Sequence, residues 1–209
     1  MIPTERFKLE PPEKGGFSIL MIGSTRAGKS TMLSHVLKNY FKEHIGVLMT
    51  NSPQADIYKA MDIPQSPEFI PRIIKDLACI NKETKNKYDF LICLDDIVTK
   101  AKFHPEILKL LAIYRNSNCS AIINVQALTL MNAAGRTNCN VVLLFKQNTD
   151  AEIERCIKTF LSSYFPQGMR MADKVRWFRE NTEDHHFVVV DTLNNHVFRS
   201  KLAPEQIVV

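Results

Sequence analysis

The chain has 209 residues, 45% of them hydrophobic, and a net charge of +5. That length buries a core without help from disulfides or metals, and five cysteines without CxxC spacing exclude a disulfide framework and a cysteine-built zinc site. No apolar run approaches the ~20 residues of a membrane span, free thiols point to a reducing, intracellular compartment, and the mild basicity is compatible with nucleic acid without demonstrating it.

Residues 1–15 are polar and carry Pro3, Pro11 and Pro12, so an extended leader without a secretory signal is expected. Phe17–Ile22, bounded by glycines, reads as a buried strand. Met32, Leu33, Val36, Leu37 and Tyr40 recur at helical spacing over residues 28–42. A strand is expected over Ile45–Met49, then a helix over 66–80. Past the polar NKETKNK loop a third strand covers Phe90–Leu94. Residues 104–115 predict a helix with His104 at its start and Pro105 in its first turn. Ala121–Val125 and Val141–Phe145 read as strands, 150–162 as a helix capped by Asp150, and 165–171 as a loop. A short helix near 171–179 precedes Phe187–Val190 and His196–Ser200, which flank a hairpin turn at Asn194-Asn195. The central strands are unbroken apolar runs, the pattern of a sheet covered on both faces. Strands alternating with helices predict an α/β fold with a mostly parallel sheet. We expect a core over 16–165 and a small C-terminal extension over 166–209.

The segment Gly23-Ser24-Thr25-Arg26-Ala27-Gly28-Lys29-Ser30 fits G-x-x-x-x-G-K-[ST] in full, between a buried strand and an amphipathic helix. Gly23 and Gly28 let the backbone wrap phosphate oxygens. The loop N–H groups, with Thr31 in the first helical turn, supply positive potential for the anion. Lys29 is expected on the β- and γ-phosphates of ATP and Ser30 on Mg²⁺. Phe90–Leu94 ends in Asp95-Asp96, the acidic pair of a Walker B strand, at the strand end where such folds bind ligands. Asp95 is expected to hold Mg²⁺ directly or through water, and Asp96 to orient or deprotonate the attacking water. Asp89, before the strand, reads as a surface residue. Gln126, after the strand at 121–125, is either a γ-phosphate sensor or a surface amide. Arg115 and Arg136 are candidates for a γ-phosphate contact to a neighbouring subunit, although arginines near helix ends commonly only complement the dipole. Spacing alone does not choose between them.

In this order the residues resemble the FtsK–HerA superfamily of DNA-pumping P-loop ATPases, and within it the poxvirus-type viral genome-packaging branch. The segments that carry the resemblance are Tyr114-Arg115-Asn116 leading into Ile122-Ile123-Asn124-Val125-Gln126, and Arg136-Thr137-Asn138 running into Val141–Phe145. The resemblance spans about residues 17–160. It implies a RecA-like fold, ATP hydrolysis with Mg²⁺, and a homo-oligomeric ring of five or six subunits that moves double-stranded DNA, with capsid components as further partners and no membrane. It makes Arg115 the first candidate for a trans arginine finger, Gln126 the polar sensor, and Arg136 a second finger or a DNA-facing residue. Asp96 departs from the glutamate of cellular relatives, which leaves the base assignment open.

Lys100, Lys102, Lys146, Arg170, Lys174, Arg176 and Arg179 offer a DNA-facing set, with Trp177 and Phe178 inside the last cluster. A solvated basic face with two core aromatics accounts for them equally. A nucleotide or small-molecule kinase would use the same loop with Arg170, Arg176 and Arg179 as a lid, and a ring that binds ATP without hydrolysing it would not need the intact Lys29, Ser30 and Asp95 set. A GTPase is disfavoured, because Asn81-Lys82-Glu83-Thr84 does not end in aspartate and no D-x-x-G follows Asp95. Adjacent His185 and His186, read as part of a strand, would face opposite ways and share no ligand.

Overall fold

The computed structural model describes residues 2–53, 55–59, 62–97 and 104–202. Strands β1 (Ser18–Ile22), β2 (Ile45–Thr50), β3 (Gln65–Ser66), β4 (Phe90–Asp95), β5 (Cys119–Val125), β6 (Val141–Leu144), β7 (Phe187–Asp191) and β8 (His196–Ser200) form one sheet in the order β3-β2-β4-β5-β1-β6-β7-β8. The first six run parallel, and β7 and β8 add an antiparallel edge. The expected C-terminal hairpin thus lengthens the main sheet. Its turn spans 192–195, where the Asp191 carboxylate accepts from the Leu193 and Asn194 N–H groups.

Both faces are buried, as the unbroken runs require. Along β1, Leu20 and Ile22 join one apolar cluster while Ile19 and Met21 join the other. The first cluster packs under α3 (Pro71–Glu83), α4 (Pro105–Ala112), α6 (Asp150–Cys156) and α7 (Met171–Asn181). The second takes α1 (Lys29–Tyr40) and Tyr58 of α2 (Asp56–Lys59). It also takes Phe7 and Leu9 of the leader, which runs beside β8 with Glu5 N–H donating to the Arg199 carbonyl at 2.9 Å.

Local chemistry moves several expected boundaries. The helix expected over 66–80 starts at Pro71, at N1, because Ser66 is held in β3. The helix expected to 115 stops at Ala112, and a 3₁₀ turn over Tyr114–Ser117 ends on Asn118 with φ +49°. His104 caps α4 by accepting from the Glu106 N–H. Thr149, not Asp150, caps α6, its hydroxyl accepting from the Glu152 N–H at 3.3 Å. Beyond Cys156 the helix widens into a π-type stretch, Ile157–Leu161. A short helix, α5 (Ala133–Thr137), lies in a stretch with no apolar periodicity.

Asn81, the residue with which a guanine-reading motif would begin, is a buried strut. Its Nδ2 donates to the carbonyls of Tyr88 (2.6 Å) and Ser117 (2.7 Å), and its Oδ1 accepts from the Tyr88 N–H at 3.1 Å. It ties the end of α3 to the approaches of β4 and β5, at the amino ends of the strands. Asn81→Ala leaves those backbone groups unpaired and is expected to lower the unfolding free energy by about 2–4 kcal/mol in urea titration. A loss under 1 kcal/mol would show that water replaces the strut.

Candidate active site

Parallel strands bring the motifs together at their carboxyl ends. β5 lies between β1 and β4, so Gln126 emerges between the phosphate loop and the acidic pair. The loop is pinned to its neighbours: Gly23 N–H donates to the Val125 carbonyl (3.2 Å), and Ser24 N–H and hydroxyl both reach the Lys146 carbonyl (2.9 and 3.0 Å). The two glycines serve different needs. A Cβ on Gly23 would meet the Phe145 Cβ at 2.5 Å, whereas Gly28 has open space and instead adopts φ +98°, which L side chains rarely hold.

Lys29 is buried, its Nζ donating to the Gly23 (2.7 Å) and Ser24 (3.0 Å) carbonyls. Burial pushes its pKa below the usual lysine range, while Asp96 and then Asp95 pull it back up. The ammonium is thus held on the loop carbonyls, within electrostatic reach of the acidic pair.

Asp95 is 5% exposed and accepts three side-chain donors: Asn124 Nδ2 on Oδ1 at 2.5 Å, Thr50 Oγ1 on Oδ2 at 3.2 Å, and the Tyr58 hydroxyl on Oδ2. Burial raises its pKa, against the three hydrogen bonds that favour the ionised form. Thr50 and Asn124 are its register partners on β2 and β5. Burial pushes the Tyr58 hydroxyl far above the usual tyrosine range, so it stays a donor.

Asp96 follows at φ +51°, its N–H donating to the Asn124 carbonyl. Its Oδ2 accepts from Gln126 Nε2 at 3.2 Å, and its Oδ1 is buried with no hydrogen-bond partner among the described residues. A buried acceptor left open beside a phosphate loop is what a bound cation or water would satisfy. With the Ser30 hydroxyl and Asp95 close by, the donor set fits Mg²⁺.

A cavity of about 430 Å³ opens over Thr25–Met32 and Asp96. Phe145, after β6, also lines it, together with His185, Phe187, Lys201 and Leu202, a contribution from the C-terminal hairpin region that carries no motif. His185 and His186 precede β7 in a turn rather than lying in a strand. The His186 N–H donates to the Glu183 carbonyl, and His185 has φ +61°.

Arg115 and Arg136 do not line the cavity. The Arg115 carbonyl accepts from the Gly16 N–H (2.6 Å) just before β1, at the opposite end of that strand from Gly23. At ~3.3 Å per residue the separation is roughly 20 Å. The Tyr114 hydroxyl donates to Glu106 Oε2 at 2.7 Å and fixes the turn that presents Arg115. Arg136 donates its Nε to the Met131 carbonyl at 2.9 Å.

Of the basic set, Arg170 and Arg176 pair with Asp173, and Arg179 pairs with Asp150. Lys174 lies over the Phe165 ring, Lys146 is exposed, Phe178 is buried core, and Trp177 packs edge-on against Phe165. Lys100 and Lys102 lie outside the described residues. Asp89 is exposed, as expected.

A mostly parallel sheet with one strand between the phosphate-loop strand and the acidic strand is the RecA-like P-loop NTPase fold, as the sequence led us to expect. Solved structures agree. The genome-packaging NTPase B204 of Sulfolobus turreted icosahedral virus 2, solved with AMPPCP, superposes with a TM-score of 0.65 at 15% identity, over 90% of this chain and 98% of that one. The pCW3 conjugation coupling protein TcpA, solved with ATPγS, gives 0.64 at 13% identity over 88% of this chain and 59% of its own. EssC (ATPases 2 and 3) from Geobacillus thermodenitrificans gives 0.62 at 11%, over 90% and 39%. No family model and no curated protein sequence matches the chain.

Proposed function

We propose that this chain is an Mg²⁺-dependent ATPase that works as an oligomeric motor on double-stranded DNA. The observation that carries the reading is the convergence of Lys29, Asp96 and Gln126 around one phosphate loop, made possible by the placement of β5. End-to-end overlap with a viral genome-packaging NTPase supports packaging of viral DNA as the work done.

In this reading the loop N–H groups and the Lys29 ammonium bind the phosphates and offset the charge that builds on them during transfer. Ser30 and Asp95 would hold Mg²⁺, which when bound neutralises phosphate charge. Gln126 fixes Asp96, and Asp96 orients the attacking water and accepts its proton. Arg115 lies roughly 20 Å from its own phosphate loop, so in this reading it serves a neighbour's γ-phosphate, with Arg136 as the second candidate. A ring of five or six subunits with capsid components as partners completes the proposal. The compartment is reducing and intracellular, which agrees with five free cysteines, four of them buried. Among the described residues no helix is long and apolar enough to cross a membrane.

The kinase alternative loses its lid, because Arg170, Arg176 and Arg179 are engaged with acidic partners and none lines the cavity. Phosphate release from ATP and Mg²⁺, measured with and without nucleosides and nucleoside monophosphates, separates the two. Release that needs no acceptor is the expected result. Transfer to a nucleoside without free phosphate would replace the ATPase with a kinase.

A further inference from the structure

Neither motif accounts for Tyr58. It sits on the single turn of α2, yet it is 2% exposed and reaches the acidic strand. A buried phenol hydroxyl needs a partner, and any backbone carbonyl would serve. This one donates instead to the Asp95 carboxylate, a charge-assisted bond that fixes which way the carboxylate faces. Ser30 is close enough to the same hydroxyl to oppose part of the rise in its pKa. Tyr58 therefore holds Asp95 and stands near Ser30, the two residues assigned to Mg²⁺.

The three donors on Asp95 are not equivalent. Thr50 and Asn124 are placed by sheet register on the strands flanking β4, and their backbones cannot move away without breaking the ladder. Tyr58 comes from the connection between β2 and β3. Its helix leans on α1, and its carbonyl accepts from Gln65 Nε2 at 2.8 Å. It is the donor that can shift while the sheet stays intact.

We propose that Tyr58 is a positioning residue for the metal site, orienting Asp95 toward Ser30 and coupling α2 to metal occupancy. The inference rests on the ATPase reading above. When Ser30 and Asp95 hold a cation, the Tyr58 bond keeps the carboxylate turned toward it, and the occupied site in turn fastens α2 more firmly.

The test uses Tyr58→Phe in the full chain, which keeps the ring and removes the hydroxyl bonded to Asp95. Binding of a fluorescent ATP analogue is measured in Mg²⁺ and in EDTA, and Mn²⁺ binding to the complex with a non-hydrolysable ATP analogue is followed by electron paramagnetic resonance. Metal affinity is expected to fall about tenfold, the lower range for loss of a residue behind a metal ligand, while nucleotide affinity in EDTA is unchanged. A merely structural role would weaken both. In the wild type, hydrogen exchange at residues 55–59 is expected to change with Mg²⁺ and nucleotide together but not with nucleotide in EDTA. This measurement decides the matter even if the variant does not fold. A wild type that binds no nucleotide removes the ATPase reading and this inference with it. A wild type that binds Mg²⁺ and nucleotide, with unchanged metal affinity in Tyr58→Phe or no metal-dependent exchange, removes this inference alone.

Discussion

Lys29→Ala is expected to lower ATP turnover by ~100-fold or more, the cost of removing one preorganised group from the charge built up in transfer. Two observations set that size. The ammonium is held on the loop carbonyls within electrostatic reach of the acidic pair, so it is already at the loop before substrate arrives. It is also buried, where a charge acts more strongly than in water. Stability is expected to change little. The substitution removes a buried cation, which costs free energy to desolvate, together with two hydrogen bonds from the ammonium worth about 1.5–3 kcal/mol each, and the two losses oppose one another. Turnover by phosphate release and melting by circular dichroism check the two halves. Turnover within threefold of wild type would remove Lys29 from the mechanism.

Arg115→Ala is expected to reduce turnover by ~10³-fold, in the range of arginine fingers supplied by a neighbour, and to leave nucleotide affinity unchanged. The geometry makes a sharper demand. Arg115 sits at the amino end of β5 beside Gly16, while its own phosphate loop sits at the carboxyl end of β1. Any finger role is therefore between subunits. A mixture of Arg115→Ala and Lys29→Ala chains, each inert alone, is expected to recover activity, because an intact loop in one variant meets an intact arginine in the other. No recovery, with both variants folded and binding each other, would move the finger to Arg136 or abolish it.

Much of this was readable before the fold was known. A complete phosphate loop between an apolar strand and a helix leaves one arrangement, and Asp95-Asp96 at the end of a second apolar run supplies its partner. Gln126 lies where its position after a strand put it, exposed and with its Nε2 on Asp96, an arrangement that either a γ-phosphate role or a surface amide allows. The cradle of Asp95 was not legible. Thr50, Tyr58 and Asn124 lie on different elements, and only sheet register and the packing of α2 bring them to one carboxylate. Phe7 and Leu9 were hidden because two apolar residues among charges have no period, and only β8 and α1 give them a place to pack. His185 was misplaced because it was read into a strand although the apolar run begins at Phe187, where β7 begins. Two successive left-handed residues, Asp184 and His185, turn the chain before that strand and put His185 at the cavity.

The steady-state ATPase rate per subunit against protein concentration, with and without duplex DNA, tests the central proposal most directly. The account predicts a rate that rises steeply with concentration, as sites completed by a neighbour's arginine require, and rises again with DNA. A rate flat in both would mean that each chain works alone and that the motor reading is wrong.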